Sequence, residues 1–328
     1  MKSINISKRK FENLKQLELP KEVVSTEASF YRFNYLGKIK VFKSLHKTSG
    51  PIFANKLFTL EMLNEYQEIL PNSFVIPESL VSVDKELRGF SLPFIKGYNF
   101  EVFLKNPKIS NKVKIHFMKK IGDILEQLSH IRNNSALDCI YINDLHASNF
   151  IADVKNDELK VVDIDSSRIC DSKPFPARYL TPLSLLNKAP GNSKYEIYQK
   201  VSEEQLNSSI LDMMTYDNYE DYYCMYNHYR NQLGYINSNQ DSDLYCYIIL
   251  FLNFLYGSNV GSFSLEEFYN YMYYLEKLNI DRNLLNAIYL IVTSAPNENI
   301  EEYLDTLSDE QIKKSHKDNY IKYKKLSK

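Results

Sequence analysis

The spacing of apolar and polar positions changes twice along the chain. From about residue 20 to 45 it is strand-like. Phe30-Tyr31-Arg32-Phe33-Asn34-Tyr35 is rich in aromatics, Leu36-Gly37 supplies a turn, and Lys38 to Leu45 alternates in part, so a hairpin is predicted. Ser49-Gly50-Pro51 breaks the pattern. Ala54 to Leu70 then reads as a helix, with Leu57, Leu60, Met62, Leu63, Tyr66 and Ile69 forming a broad apolar side, and Pro71-Asn72 ending it. Phe74 to Ile76, Leu80 to Val83 and Gly89 to Phe94 are short strand candidates, and the first lobe ends near residue 95.

Beyond that point helical periodicity takes over. In Lys112 to Ile131 the residues Phe117, Ile121, Ile124, Leu128 and Ile131 recur at helical spacing. Tyr141-Ile142 and Leu159 to Ile164 are short β-like runs flanking a loop. Residues 166–240 carry a weaker pattern, with Pro174, Pro176, Pro182 and Pro190. Leu244 to Tyr256 is apolar on all sides and predicts a buried helix. Further helices are expected at 264–278, 283–293 and 298–307. The tail from Lys313 to Lys328, with seven lysines and one aspartate, reads as a solvated, frayed end.

Composition narrows the function classes. The 328 residues suit a two-lobed unit or two small domains. Lys+Arg is 40 and Asp+Glu is 41, a balance that does not point to nucleic acid or a membrane surface. The abundance of Tyr, Asn, Lys and Ile reads as genome composition. The cysteines at 139, 170, 224 and 246 form no close pair and no zinc-like spacing, so they read as reduced thiols. The first residues are basic, but no apolar run follows as a secretory signal requires. The apolar run 244–256 is shorter than the roughly 20 residues of a span. A soluble, cytoplasmic protein is expected.

The chemistry concentrates in Ile142-Asn143-Asp144-Leu145-His146-Ala147-Ser148-Asn149-Phe150 and, shortly after, Val161-Val162-Asp163-Ile164-Asp165. Asp144 and Asn149 share a loop between strands, and at Asp163 an apolar strand ends on an acid. Asp and Asn offer hard oxygen ligands of the kind that suit Mg²⁺ on nucleotide phosphates. The remaining Asp is able to orient or deprotonate an attacking hydroxyl.

These residues resemble the protein-kinase superfamily, whose catalytic loop reads H-R-D-L-x-x-x-N and whose metal loop reads D-F-G. The resemblance runs from about residue 20 to 307. It implies an α+β, bilobal protein-kinase-like fold: a small β-rich N-lobe over 1–95, a larger, mainly helical C-lobe over 96–310, and a basic tail over 311–328. It makes Asp144 the catalytic aspartate and Asn149 and Asp163 the metal ligands for Mg²⁺ or Mn²⁺. Lys43, in Val41-Phe42-Lys43, becomes the lysine on the ATP α- and β-phosphates. Glu61, in competition with Glu65 and Glu68, becomes the helix glutamate that pairs with it. Pro93, Phe94 and Ile95 would border the adenine. Asp243 opens a helix that resembles the central C-lobe helix, and Arg178 to Leu183 resembles the end of an activation segment.

The departures are equally specific. No G-x-G-x-x-G precedes Lys43. Val24-Ser25-Thr26-Glu27-Ala28-Ser29 stands there, and the backbone at Ser25 and Thr26 is expected to meet the phosphates. Ile142 and Asn143 replace the His-Arg pair, His146 replaces a lysine, and Asp163-Ile164-Asp165 lacks the glycine. Asp165 reads either as a turn cap or as a second acid near the metal. The implied activity is transfer of the ATP γ-phosphate to a hydroxyl. A Ser/Thr protein kinase is the first choice. The Leu-His step and Asp163-Ile164-Asp165 also resemble aminoglycoside- and choline-type kinases with small-molecule acceptors. A nucleotide-binding scaffold without transfer is the third reading.

Overall fold

The computed structural model describes residues 1–21, 27–135, 137, 139–170, 242–261, 263, 265–294 and 300–326. Ser25 and Thr26, the 178–183 segment, Cys224 and the tyrosine-rich 216–235 stretch lie outside the described residues. The fold is mixed α+β, a β-rich sheet toward the N-terminus and helices toward the C-terminus. Two units divide the chain: Met1–Asn106 with Glu126–Phe175, and Pro107–Leu125 with Pro176–Lys328.

The first unit is built on a six-stranded sheet. Its strands are β1 (Lys2–Ile6), β2 (Lys15–Gln16), β3 (Ala28–Tyr35), β4 (Lys38–Leu45), β5 (Ser79–Val83) and β6 (Glu86–Pro93), in the order β1-β5-β6-β4-β3-β2. The expected hairpin is β3–β4. Leu36 and Gly37, both at positive φ, turn the chain, and Phe33 faces Lys40 across it. Asp84 and Lys85 make the two-residue turn between β5 and β6, again both at positive φ, as the twist of a tight hairpin demands. Ile4, Ile6, Phe33, Phe42, Val81 and Val83 form the buried cluster of this sheet, with Phe11 and Leu14 packed against it.

Several expectations need correction here. The N-terminal residues supply β1, which lies parallel to β5 with Ile4 opposite Val81 and Ile6 opposite Val83. The short helix α1 (Lys8–Glu12) follows, capped by Ser7. Ser49-Gly50-Pro51 does not break the chain but starts α2 (Gly50–Glu65), because proline suits the first helical turn, where its missing N–H costs nothing. The helix stops at Glu65, five residues earlier than its apolar run suggests. Phe74 to Ile76 is not a strand; Phe74 makes one isolated bridge to Val161. The rest of this unit holds β7 (Tyr98–Asn99), α3 (Phe100–Lys105), the later part of α4 (Asn111–Asn134), β8 (Ile140–Tyr141), β9 (Phe150–Asp153), β10 (Glu158–Val161) and β11 (Arg168–Ile169).

The second unit is helical. The uniformly apolar run is α5 (Ser242–Tyr256), with Tyr245 through Leu252 all buried. α6 (Leu265–Lys277) and α7 (Arg282–Ser294) follow near their expected limits, whereas α8 (Glu301–Leu304) is only four residues long. The tail is not frayed. It forms α9 (Asp309–Ser315), opened by a reciprocal Ser308–Gln311 capping box, and α10 (Lys317–Leu326). Ile312 and Tyr320 are buried, Tyr271 and Tyr274 donate to the carbonyls of Ser315 and Lys314, and Ser315 Oγ donates to Leu255 O. The seven lysines hid these anchors from a charge-based reading. Among the described residues no helix is long and apolar enough to cross a membrane.

Candidate active site

The first unit contains every described candidate residue, and Lys43, Asp144, Asn149 and Asp163 lie on three pieces of its backbone. The first is β4, which ends with Phe42, Lys43, Ser44 and Leu45 all buried. Lys43 lies opposite Phe30 on one side and Phe90 on the other and is itself only 3% exposed. β6 comes unusually close, because a Cβ at Gly89 would meet the Lys43 carbonyl carbon at 3.0 Å and its oxygen closer still.

The second piece is the loop after β8. Ile142 and Leu145 are buried and pin it, and Asn143 takes positive φ, which asparagine tolerates better than most residues. A 3₁₀ turn over Ala147–Asn149 leads into β9. Asn149 is buried, and its amide nitrogen donates to the Asp144 carbonyl at 2.9 Å and to Asp144 Oδ2 at 3.2 Å. His146 Nε2 lies 3.5 Å from the same Oδ2. Asn99 holds the loop from outside by donating to Ser148 O at 2.8 Å. Asp144 thus sits on a fixed loop with its carboxylate partly open to solvent.

The third piece is the end of β10. β9 and β10 pair antiparallel, and Val161 exchanges hydrogen bonds with the 73–75 backbone, receiving one from Val75 N and giving one to Ser73 O. Val162 N donates to Asn149 O at 2.8 Å, which ties the loop of Asn149 to the residue just before Asp163. Asp163 adopts a left-handed conformation, and a 3₁₀ turn (Ile164–Ser166) buries Ile164 and Asp165.

The first and third pieces meet at Lys43. Its Nζ donates to Asp163 Oδ1 and, at 2.8 Å, to Asp165 Oδ1, linking residues more than a hundred positions apart. A second buried lysine, Lys56 on α2, donates to Asp165 Oδ2 at 3.2 Å, to Ser166 Oγ at 3.1 Å and to Glu27 Oε2 at 2.9 Å. Asp165 would be raised by burial, but Lys43 and Lys56 outweigh that and hold it well below the usual carboxylate range. Burial pushes Asp163 up to about 7; Lys43 opposes the rise and the neighbouring Asp165 adds to it. Burial alone would lower both lysines, yet the carboxylates around them leave both above their ordinary value.

The structure brings together Lys43 with Asp163, and Asp144 with Asn149. It does not bring Glu61 to Lys43. Glu61 is exposed on α2, and Lys43 takes its carboxylates from Asp163 and Asp165. A position five residues along a helix is turned about 140° away, so the face carrying Lys56 and Thr59 is buried while Glu61 looks outward. Pro93 is half-buried at the end of β6, Phe94 is exposed with Arg32 over its ring, and Ile95 is half-buried. Sequence reasoning missed Lys56 and Glu27 entirely. A lysine inside an otherwise apolar helix pattern was the available signal for Lys56.

The donors suit a hard cation. The Asn149 amide nitrogen is engaged, and its amide oxygen accepts no hydrogen bond among the described residues. Asp163 keeps its side chain about 35% exposed. An amide oxygen and a carboxylate are ligand types that Mg²⁺ takes together with waters and phosphates. Compared with known proteins, the chain matches no protein-family model and no curated protein.

Proposed function

We propose that this chain is an ATP-dependent phosphotransferase of the protein-kinase-like class, a cytoplasmic enzyme that moves the γ-phosphate to a hydroxyl on a protein. The observation that carries the reading is the ion pair between Lys43 at the end of a buried strand and Asp163 at the end of another, beside a loop in which Asn149 restrains Asp144. Three segments far apart in sequence are linked through Lys43–Asp163 and Val162–Asn149, which supports giving them phosphate positioning, metal binding and hydroxyl orientation.

In this reading Lys43 places its ammonium on the α- and β-phosphates. Asn149 and Asp163 would hold Mg²⁺, which supplies charge neutralisation of the phosphate oxygens. Asp144 accepts the hydrogen bond of the acceptor hydroxyl. Its partly exposed carboxylate admits an acceptor, while Asn149 fixes its orientation. Pro93, which ends β6, and Phe94 and Ile95 after it offer backbone groups to the adenine. Rate acceleration then comes mainly from positioning and electrostatics.

One observation favours a small-molecule acceptor as the second reading. His146, in place of the lysine that protein kinases carry there and in the Leu-His step that resembles small-molecule kinases, lies 3.5 Å from the Asp144 carboxylate.

Incubation with γ-labelled ATP and Mg²⁺ or Mn²⁺, wild type beside Asp144→Ala, tests the proposal. Label on the protein or on a generic basic protein, lost in Asp144→Ala, supports protein transfer. Label on lysate small molecules alone supports the second reading. No label from the wild type in either pool overturns both.

A further inference from the structure

Lys43 is held by a carboxylate that is itself held by a lysine. Asp165 is buried and presents one oxygen to each cation: Oδ1 at 2.8 Å from Lys43 Nζ and Oδ2 at 3.2 Å from Lys56 Nζ. Lys56 is only 4% exposed and is fixed on its other sides by Glu27 and Ser166. The contribution of α2 to this site is therefore a cation. Its only glutamates, Glu61 and Glu65, lie toward its C-terminal end, and Glu61 faces solvent.

Such an arrangement is an expensive way to fill space. Removing two ammonium groups and a carboxylate from water is costly, and apolar side chains of the same volume would pack the site as well. What the charges provide is direction. Asp163 has two demands on it, Lys43 and the cation that its exposed side can meet. Asp165 has no exposed side, and each of its oxygens is already engaged. When Asp163 turns toward a cation, Lys43 keeps Asp165, and Lys56 keeps Asp165 from following.

We propose that Asp165 and Lys56 are positioning residues for Lys43: Lys56, braced by Glu27 and Ser166, holds Asp165, and Asp165 aims the Lys43 ammonium at the nucleotide phosphates. This rests on the phosphotransferase reading given above. It replaces the expected glutamate of α2 by an aspartate two residues beyond Asp163, with a lysine behind it.

The test uses the full chain as wild type, Lys56→Met and Lys56→Arg. Calorimetry measures binding of a non-hydrolysable ATP analogue with Mg²⁺, and initial rates separate the KM for ATP from that for the acceptor. Lys56→Met should lower kcat/KM for ATP by about 10–100-fold, the usual range for loss of an outer-shell partner. The analogue should bind correspondingly more weakly, and the acceptor KM should stay in place. Lys56→Arg keeps the charge and should recover most of the loss. If Lys56→Met does not fold, Glu27→Gln removes the brace without emptying the core, and a fall in the same parameter is expected. A folded Lys56→Met with wild-type kcat/KM overturns the proposal and leaves the phosphotransferase reading standing. So do equal losses in Met and Arg, or a loss confined to the acceptor KM. A wild type that neither binds the analogue nor transfers phosphate overturns both.

Discussion

A side-chain carbon on Gly89 would stand within van der Waals overlap of the Lys43 main chain, closest to its carbonyl oxygen. Gly89 pairs with Ser44 in the β4–β6 ladder, at a bulge where Val81 faces Gly89 and Ser82 faces Leu87. Because the clash is with backbone, rotamer changes cannot relieve it. Gly89→Ala should therefore push β6 from β4 and cost about 2–4 kcal/mol, at the upper end of single substitutions. A denaturant midpoint equal to that of the wild type would show that the strands are not so closely apposed.

How much of this was legible in sequence depended on the kind of signal. The β3–β4 hairpin announced itself through aromatics, partial alternation and a glycine turn, which are local features. The loop from Asp144 to Asn149 was singled out by its resemblance to a known motif, and the contact between its two ends is local in sequence, with Asn149 bonded to Asp144 five residues back. Glu61 was chosen for its distance from Lys43, but distance along a helix does not say which face a residue takes. α2 carries apolar residues on most sides, so its phase was hidden until Phe53, Lys56, Thr59, Leu60 and Leu63 proved to be the buried set. β1 and the C-terminal helices were missed for a related reason. Each is anchored by two or three buried residues, Ile4 and Ile6 in one case, Ile312 and Tyr320 in the other, within segments rich in lysine.

Asp165 should matter for stability, with a definite pH signature. Its folded pKa lies below the unfolded value of about 3.9. The stability it contributes is therefore present above that pH and is lost as pH falls below it. Asp165→Asn leaves two buried lysines short of a carboxylate and should cost about 3–5 kcal/mol at pH 7. Urea unfolding at pH 7, 5 and 3, in an Asp163→Asn background so that the Asp163 carboxyl does not titrate, should show a constant gap with and without Asp165→Asn at the first two, narrowing at the third. A gap that widens toward pH 3 contradicts the assignment.

Asn149 joins two tasks, restraint of Asp144 and donation of an oxygen to the cation. Asn149→Ala removes both. The Mg²⁺ concentration for half-maximal transfer should rise at least about tenfold, equivalent to about 1.4 kcal/mol, and Mn²⁺ should follow the same direction. Titration of the metal at fixed ATP measures it. An unchanged metal requirement with lowered kcat would confine Asn149 to holding Asp144.

Asp163 presents the opposite case to Asp165, and the sign of its effect follows. Burial and the nearby Asp165 carboxylate raise its carboxyl to about 7, with Lys43 opposing. Below about pH 4 the group is protonated folded and unfolded alike, so it contributes nothing there. Between pH 4 and 7 the unfolded chain ionises first, and the fold loses stability as pH rises, until the full penalty is reached above 7. Asparagine at this position has no charge to desolvate. Without metal, Asp163→Asn should therefore melt higher than the wild type at pH 8, by about 1–2 kcal/mol once the exposed third of the side chain is allowed for. At pH 4 the two should coincide. Mg²⁺ should stabilise the wild type by binding the ionised carboxylate and leave the variant unmoved. Thermal melts of both proteins at pH 4 and 8, with chelator and with Mg²⁺, give the four differences needed. If Asp163→Asn melts lower than the wild type at pH 8 in chelator, the ion pair with Lys43 outweighs the burial of the carboxylate, and Asp163 acts first as a structural partner of that lysine.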